Sequence, residues 1–259
     1  MLIGDEKEYS DDVYEKRVVI FLDILGFSSL VEESQDDVKK RIHLKRIITV
    51  LRKKSFIFDN SDNNSSWLST RTSFSDSVVF SESCLHKNTG IICCLMNLSY
   101  LMFSLAGIGA FVRGGIAIGD VYHDNRMLFG PAMNEAYRLE SKEAVYPRIV
   151  MKKETFETEM TEPFIRDAFI DDGSLVYFDV LSQPHCINTV YGDEYNERKL
   201  VETIRRNIQD ALVTYKGNER IYEKYAWLRD YWNRTVKNGI TASEVHLQRF
   251  SHLYDGLEI

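Results

Sequence analysis

Two aspartates, one asparagine and one arginine have the types and settings to work on a phosphate. Asp23 sits inside VVIFLDILGF, residues 18–27, an almost unbroken apolar run of the kind a strand shows when both its faces are covered. A carboxylate there is costly unless a metal, a cation or hydrogen-bond donors meet it. Asp76 has a similar setting in SFSDSVVFS, residues 73–81, where it opens a second strand-like run. Side by side at about 4 Å, two carboxylates repel by roughly 4 kcal/mol at an effective dielectric of about 20, so a cation or a shared proton must lie between them. The expectation is that Asp23 and Asp76 hold divalent metal together. Taken singly, Asp23 also fits a strand-end turn and Asp76 a hairpin.

The other two residues lie in FGPAMNEAYRLES, residues 129–141. If Pro131 opens a helix, Asn134 and Arg138 are one turn apart on one face and Leu139 points to the core. An amide and a guanidinium so placed can reach one anionic ligand, and a guanidinium suits the charge that builds on a phosphate in a transition state. The same spacing is what any wet helix face shows. Other candidates are weaker. His123 reads as a loop histidine, and RGGIAIG, residues 113–119, fails as a dinucleotide fingerprint because no helix follows it directly. Its glycines fit a strand that passes close to a neighbour.

The elements that must position these residues follow from periodicity. A strand from Arg17 to Ile24 turns at Gly26, and residues 28–52 read as helix. DNSDNNSS, residues 59–66, is loop by composition. Strands over 67–74 and 77–80 join tightly near Asp76, and residues 88–105 form a long, nearly all-apolar helix. A strand over 111–118, the turn VYHDN, a strand over 127–130, the helix from Pro131 to Glu140 and strands over 148–151 and 174–180 complete the order. That order suits an α+β sheet with helices packed on one face, of the ferredoxin-like type with extra elements. Residues 1–16 read as a lead-in, 17–190 as the main domain and 191–259 as a C-terminal helical extension. The extension carries two amphipathic stretches, each stopped by a glycine, that pack on the sheet or on a partner subunit. Tyr225, Trp227, Tyr231 and Trp232 at helical steps fit core or interface better than a stacking platform for single strands.

Composition narrows the classes. The 259 residues suffice for one good-sized core. A net charge of −7 argues against a broad duplex-binding surface but not against a single nucleotide. The apolar stretch near residues 91–110 is broken by polar residues and glycines, so it reads as a buried helix and no membrane partner is expected. The acidic N-terminal residues lack the zones of a signal peptide, and the four cysteines show no zinc spacing. A reducing, cytoplasmic setting is the expectation.

FLDILGFSSL, SFSDSVVFS, FVRGGIAIGDV and FGPAMNEAYRLES, in this order and at these separations, resemble the catalytic domain of class III nucleotide cyclases over about Val18 to Val180. In that family the pattern is roughly FxDIxGF, a hairpin aspartate, RxGIxxG and a GxxVNxAxRLE helix. The resemblance implies that Asp23 and Asp76 bind metal with the backbone carbonyl of Ile24, that two divalent cations, Mg2+ or Mn2+, serve each site, that Phe21 belongs to the nucleotide site, and that the amides of Leu25, Gly26, Phe27 and Ser28 line the triphosphate. It implies that Asn134 orients the ribose and Arg138 stabilises the transition state. It further implies a head-to-tail homodimer with sites at the interface, the aspartates from one subunit and the Asn/Arg helix from the other.

Departures from the family pattern bear on the substrate. The purine-reading positions, four residues before the hairpin aspartate and seven before the helix asparagine, hold Thr72 and Met127. No lysine for the terminal phosphates stands near Leu175, and Arg71 or Arg126 are the available substitutes. The combination resembles the stand-alone Pycsar cyclases of bacterial antiphage defence, which make cyclic UMP or cyclic CMP to activate a separate effector. A donor opposite the 4-position favours the uracil carbonyl. The resemblance therefore implies a uridylate cyclase acting on a nucleoside triphosphate, with a cytidylate cyclase or a nucleotide-binding degenerate of the fold as the alternatives.

Overall fold

The computed structural model describes residues 14–52, 70–84, 87–183, 194–238 and 252–259. The expected loop over 59–66, the start of the strand at Trp67 and Cys186 lie outside the described residues. The strands are β1 (Glu15–Ile24), β2 (Thr70–Phe74), β3 (Ser77–Ser83), β4 (Val112–His123), β5 (Leu128–Phe129), β6 (Ile149–Lys152), β7 (Phe169–Asp172) and β8 (Leu175–Phe178). They form one mixed sheet in the order β2-β3-β1-β4-β6-β8-β7, with β5 added to β4. Pairing is antiparallel throughout except between β4 and β6. The helices are α1 (Phe27–Glu33), α2 (Val38–Leu51), α3 (Lys87–Gly107), α4 (Pro131–Arg138), α5 (Lys153–Glu159), α6 (Pro163–Arg166), α7 (Glu194–Thr214) and α8 (Glu219–Asn238). The fold is α+β.

The apolar run of β1 has a direct cause. Val18, Ile20, Leu22 and Ile24 enter the main core with Ile47, Leu51, Leu98, Ile204 and Trp232 from the helices. Val19 and Phe21 enter a second, smaller core with Val79, Ala117, Ala132 and Ala136. Alternate residues of a strand point to opposite faces, so both faces of β1 are covered. Most helices share the main-core face, and α4 is the exception: it lies on the other. Gly115 makes that possible, because a Cβ there would meet the Ala136 carbonyl at 2.3 Å and Leu139 Cβ at 2.6 Å. Gly115 lets a helix come close, while Gly114 bears out the expected close approach of a neighbouring strand, since a Cβ there would meet the Phe21 carbonyl of β1 at 2.3 Å.

Several boundaries differ from the periodicity. The helix expected over 28–52 is two helices, because Asp37 caps α2 by accepting from the Lys39 and Lys40 amides. β4 runs past Gly119 to His123, held to Val121 by pairing with Glu15 of a longer β1. After α4 the chain takes a π-helical turn over Leu139–Glu143, where both Leu139 and Glu140 are buried. The short elements α5, α6 and β7 have no clear signal in the sequence.

Within α3, Thr89–Gly107 is long and apolar enough to cross a membrane. Here its flanks are taken by β3, β1, α2 and α7. The C-terminal helices join the same core. Asn207 of α7 donates Nδ2–H to the Ala106 carbonyl at 2.8 Å, and Tyr225 of α8 packs edge-on to Phe111 at 5.7 Å. Tyr225, Tyr231 and Trp232 are buried, while Trp227 stacks on Tyr146.

Candidate active site

Asp23 is the next residue after Phe21 on the second-core face of β1, at the strand's C-terminal end, where the apolar cover stops. Its register partners are Ser77 on β3 and Arg113 on β4. Asp76 lies in the two-residue turn between β2 and β3, whose first position, Ser75, has φ of 46°. Positive φ at the first turn position only is the pattern that favours glycine there. This turn sets the Asp76 carboxyl beside Asp23, near enough for its charge to bear on the Asp23 carboxyl. Two carboxyl groups more than fifty positions apart in the sequence thus meet at one sheet end, and Ser77 Oγ donates to Asp23 Oδ1 at 3.3 Å.

The electrostatics are those of an under-neutralised acid pair. Burial pushes the Asp23 carboxyl above its ordinary pKa, Asp76 adds to the rise, and Arg113 opposes both. Arg113 Nε stands 3.5 Å from Asp23 Oδ2, and Arg113 Nη2 lies 2.8 Å from Glu140 Oε1. That second contact has ion-pair distance without hydrogen-bond angles, so Glu140 Oε1 stays unsatisfied. Glu140 is 3% exposed, and burial raises its pKa ahead of any partner, Arg113 pulling it down and Asp23 and Asp76 adding to the rise. One guanidinium therefore serves two carboxyl groups, Asp23 and Glu140, with Asp76 a third beside them. A second cation approaches on α8: half-buried Lys224 has its pKa lowered by burial, then by Arg113 and Arg220, while Asp23 acts the other way.

Two carboxylates side by side, short of counter-charge, are hard oxygen donors of the sort Mg2+ and Mn2+ take. The Ile24 side chain is buried in the core, so only its carbonyl can join them. Among the described residues no third Asp, Glu, His or Cys completes a metal-binding group.

The remaining expected residues divide. Asn134 is exposed on α4, on the side away from Ala132 and Ala136. Arg138 is half-exposed and forks onto Glu135, at 3.0 and 3.1 Å, and onto Glu143, at 2.9 Å. Within one chain these two side chains are not brought onto the aspartates. Arg71 is a correction: alternation along β2 turns it to the face opposite Thr72, where it is half-buried and donates to the Leu51 carbonyl at the end of α2. Phe21 and Phe27 are packing residues, each buried in a core. The Leu25 amide is spent on the Phe111 carbonyl at 2.9 Å. Gly26, with φ of 75°, turns the chain into α1, so that Ser28 falls in the helix's first turn. Arg126 and Met127 are exposed in the turn after β4, held by Asp124, which accepts from both their amides.

Thr72 faces the same side as Asp23, through the row Thr72, Val79, Phe21. His123, expected in a loop, is the last residue of β4 and only 8% exposed. Its Nε2 is 3.0 Å from Thr72 Oγ1 and its Nδ1 is 2.8 Å from Ser81 Oγ. Arg113, Glu140, His123 and Lys224 are the site residues that reading by motif missed. The available signal was charge: Arg113 is the one ionisable residue in a run that is otherwise apolar or glycine from Phe111 to Gly119.

No protein-family model matches the chain, and no curated protein matches it. Among solved structures it is similar to the adenylyl cyclase CyaB from P. aeruginosa, with 17% identity and a TM-score of 0.47 over 64% of this chain and 93% of that one. It is also similar to a bacterial light-regulated adenylyl cyclase, with 20% identity and a TM-score of 0.39 over 68% of this chain and 98% of that one. A third similarity is to the catalytic core of a rhodopsin-guanylyl cyclase with converted specificity, in complex with ATPαS, with 15% identity and a TM-score of 0.37 over 64% and 95% of the two chains.

Proposed function

We propose that this protein is a metal-dependent nucleotide cyclase that converts a pyrimidine nucleoside triphosphate, UTP first, to its 3′,5′-cyclic monophosphate and pyrophosphate. The observation that carries the reading is the meeting of Asp23 and Asp76 at the end of β1, with one guanidinium shared between Asp23 and Glu140. An acid pair this poorly neutralised is built to receive a cation, and the four motifs supply the rest of the constellation.

In the reaction the ribose 3′-oxygen bonds to the α-phosphorus, the bond from that phosphorus to the β-phosphate bridging oxygen breaks, and the 3′-hydroxyl proton passes to solvent. Attack is intramolecular, so the protein's part is to fix geometry and to meet developing charge. Asp23, Asp76 and the Ile24 carbonyl would hold the cations. Two divalent ions, Mg2+ or Mn2+, would there lower the pKa of the attacking hydroxyl and screen the leaving pyrophosphate. Asn134 orients the ribose and Arg138 meets charge on the transferred phosphorus. With Arg71 turned to the other face, Lys224 is the cation we assign to the terminal phosphates.

Asn134 and Arg138 face outward from α4, so a complete site takes them from a second copy of the chain. Phe74, Met127, Phe129 and Tyr137, exposed at 51%, 50%, 41% and 53%, supply apolar surface for that homodimer on the elements around the site. The 17–190 domain carries the aspartates and the Asn/Arg helix, and the C-terminal helices buttress it and add Lys224. We place the enzyme in the cytoplasm, in antiphage signalling of the Pycsar kind, where its cyclic product acts on a separate effector.

The deciding experiment incubates the protein with each of the four NTPs and Mn2+ and identifies products by mass spectrometry. Cyclic UMP as the main product is expected. No cyclic nucleotide from any NTP overturns the reading in favour of a nucleotide-binding relative of the fold.

A further inference from the structure

Behind Thr72 runs a chain of hydrogen bonds with a fixed direction. Arg17 Nε donates to Ser81 Oγ at 2.9 Å, and arginine cannot accept, so this bond runs one way. Ser81 is fully buried, at 0% exposure. Its own hydrogen needs an acceptor, and His123 Nδ1, 2.8 Å away, is the one in contact. A neutral imidazole that accepts at Nδ1 carries its proton on Nε2. That nitrogen lies 3.0 Å from Thr72 Oγ1, so Thr72 receives a bond from behind. Burial first, and Arg17 second, push the His123 pKa down to about 4, which keeps the ring neutral near pH 7. The reverse direction would leave the Ser81 hydrogen buried without a partner.

We propose that Arg17, Ser81 and His123 are positioning residues that fix Thr72 as an outward hydrogen-bond donor, so that the site selects a base presenting a carbonyl over one presenting an amine, uracil over cytosine. The inference rests on the cyclase reading and on Thr72 facing the base. A free threonine hydroxyl can serve either pyrimidine by rotation, as donor to one or acceptor from the other. A threonine already accepting from His123 has one lone pair left and its hydrogen still to place, and of the two bases only the one presenting a carbonyl gives that hydrogen an acceptor.

The test measures kcat/KM for UTP and CTP on the full chain with Mn2+, for the wild type and four variants. The wild type is expected to prefer UTP. Thr72→Val and His123→Phe are expected to lower the UTP-to-CTP ratio at least tenfold. Thr72→Ser, which keeps the hydroxyl, and His123→Gln, which can accept through oxygen and donate through nitrogen, are expected to keep it. A histidine with only a packing role would change both substrates alike and leave the ratio untouched. If His123→Phe does not fold, Thr72→Val, at a half-buried strand position, carries the measurement. A wild type that prefers CTP, or a ratio unmoved in Thr72→Val, overturns this assignment while leaving the cyclase reading in place. No product from any NTP overturns both.

Discussion

Arg113 stands directly across from Asp23 in the β1–β4 register, its Nε 3.5 Å from Asp23 Oδ2, while its Nη2 is committed to Glu140 at 2.8 Å. The guanidinium is shared, and the side chains at Asp23 and Arg113 are 19% and 26% exposed, so solvent screens the cluster incompletely. A site with three carboxyl groups and one close cation is a poor way to stabilise an empty fold. It is a good way to leave two oxygen donors waiting for positive charge.

Divalent metal should therefore stabilise the folded chain through Asp23 and Asp76. At 100-fold excess over its dissociation constant a ligand adds about 2.7 kcal/mol, or about 5–10 °C in Tm for a protein of this size. Thermal melts with and without Mn2+ are expected to show such a rise in the wild type and most of it lost in Asp23→Asn and Asp76→Asn. An equal rise in all three proteins would place the metal elsewhere.

Two groups, half-buried Asp23 and buried His123, give the metal-free protein opposite responses to pH. The folded pKa of Asp23 is raised, so its contribution is fully present below the unfolded value near 3.8 and is lost as pH climbs through the folded one. The folded pKa of His123 is lowered to about 4, so the unfolded chain takes up a proton first as pH falls. Stability from His123 is thus full above about 6.5 and drains away towards pH 4, by at most roughly 3 kcal/mol. Melts across pH 4–7 are expected to give a flatter acid limb in His123→Phe and, in Asp23→Asn, higher stability than wild type near neutrality. A His123→Phe curve parallel to wild type would mean that the histidine titrates normally.

How much of this was legible in the sequence depended on distance along the chain. The β1 run, the long α3 helix, the two C-terminal helices and the shared face of Asn134 and Arg138 all follow from local periodicity and appear where expected. The break between α1 and α2 was missed because three helical turns of good spacing outweighed one capping aspartate, Asp37. Arg113 and His123 were missed for a different reason. Their roles come from register and from bonds to residues 90 and 51 positions away, which no local pattern encodes. Arg71 was misjudged by one residue of strand alternation, which is enough to reverse a face.

Ser75 offers a stability test independent of activity. It holds φ of 46°, alone in positive φ among the described non-glycine residues, at a cost of about 1–2 kcal/mol for a side chain with a Cβ. Ser75→Gly is expected to raise Tm by roughly 2–4 °C, a gain of about 1 kcal/mol after glycine's extra chain entropy. A lower Tm would show that the serine side chain is stabilising the turn that carries Asp76.

Lys224 should act on substrate affinity. Tyr225, beside it on α8, packs against Phe111, whose carbonyl takes the Leu25 amide, so the lysine reaches the sheet end that holds Asp23. Lys224→Ala is expected to raise KM for the triphosphate about tenfold, as the loss of one charge-assisted bond does, and to leave kcat within about threefold. Weaker inhibition by tripolyphosphate should accompany it. Unchanged KM would return the phosphate-binding cation to Arg126 or to a partner subunit.

Subunit mixing tests whether two copies share each site. Arg138 is held by Glu135 and Glu143 on the outer side of α4, and Asn134 is exposed beside it, so neither can serve the aspartates of its own chain as they stand. Asp76→Ala and Asn134→Ala proteins should each be inactive alone, and Arg138→Ala should lose about 10²–10³ in kcat. In a head-to-tail pair, one subunit of each type leaves one interface with both defects and the other with none. Equal mixing with free exchange makes half the dimers mixed, so activity should return to about a quarter of wild type. If the mixture stays inactive while size measurements show exchanged dimers, the groups act within a single chain, and α4 must move to bring Arg138 onto the phosphate.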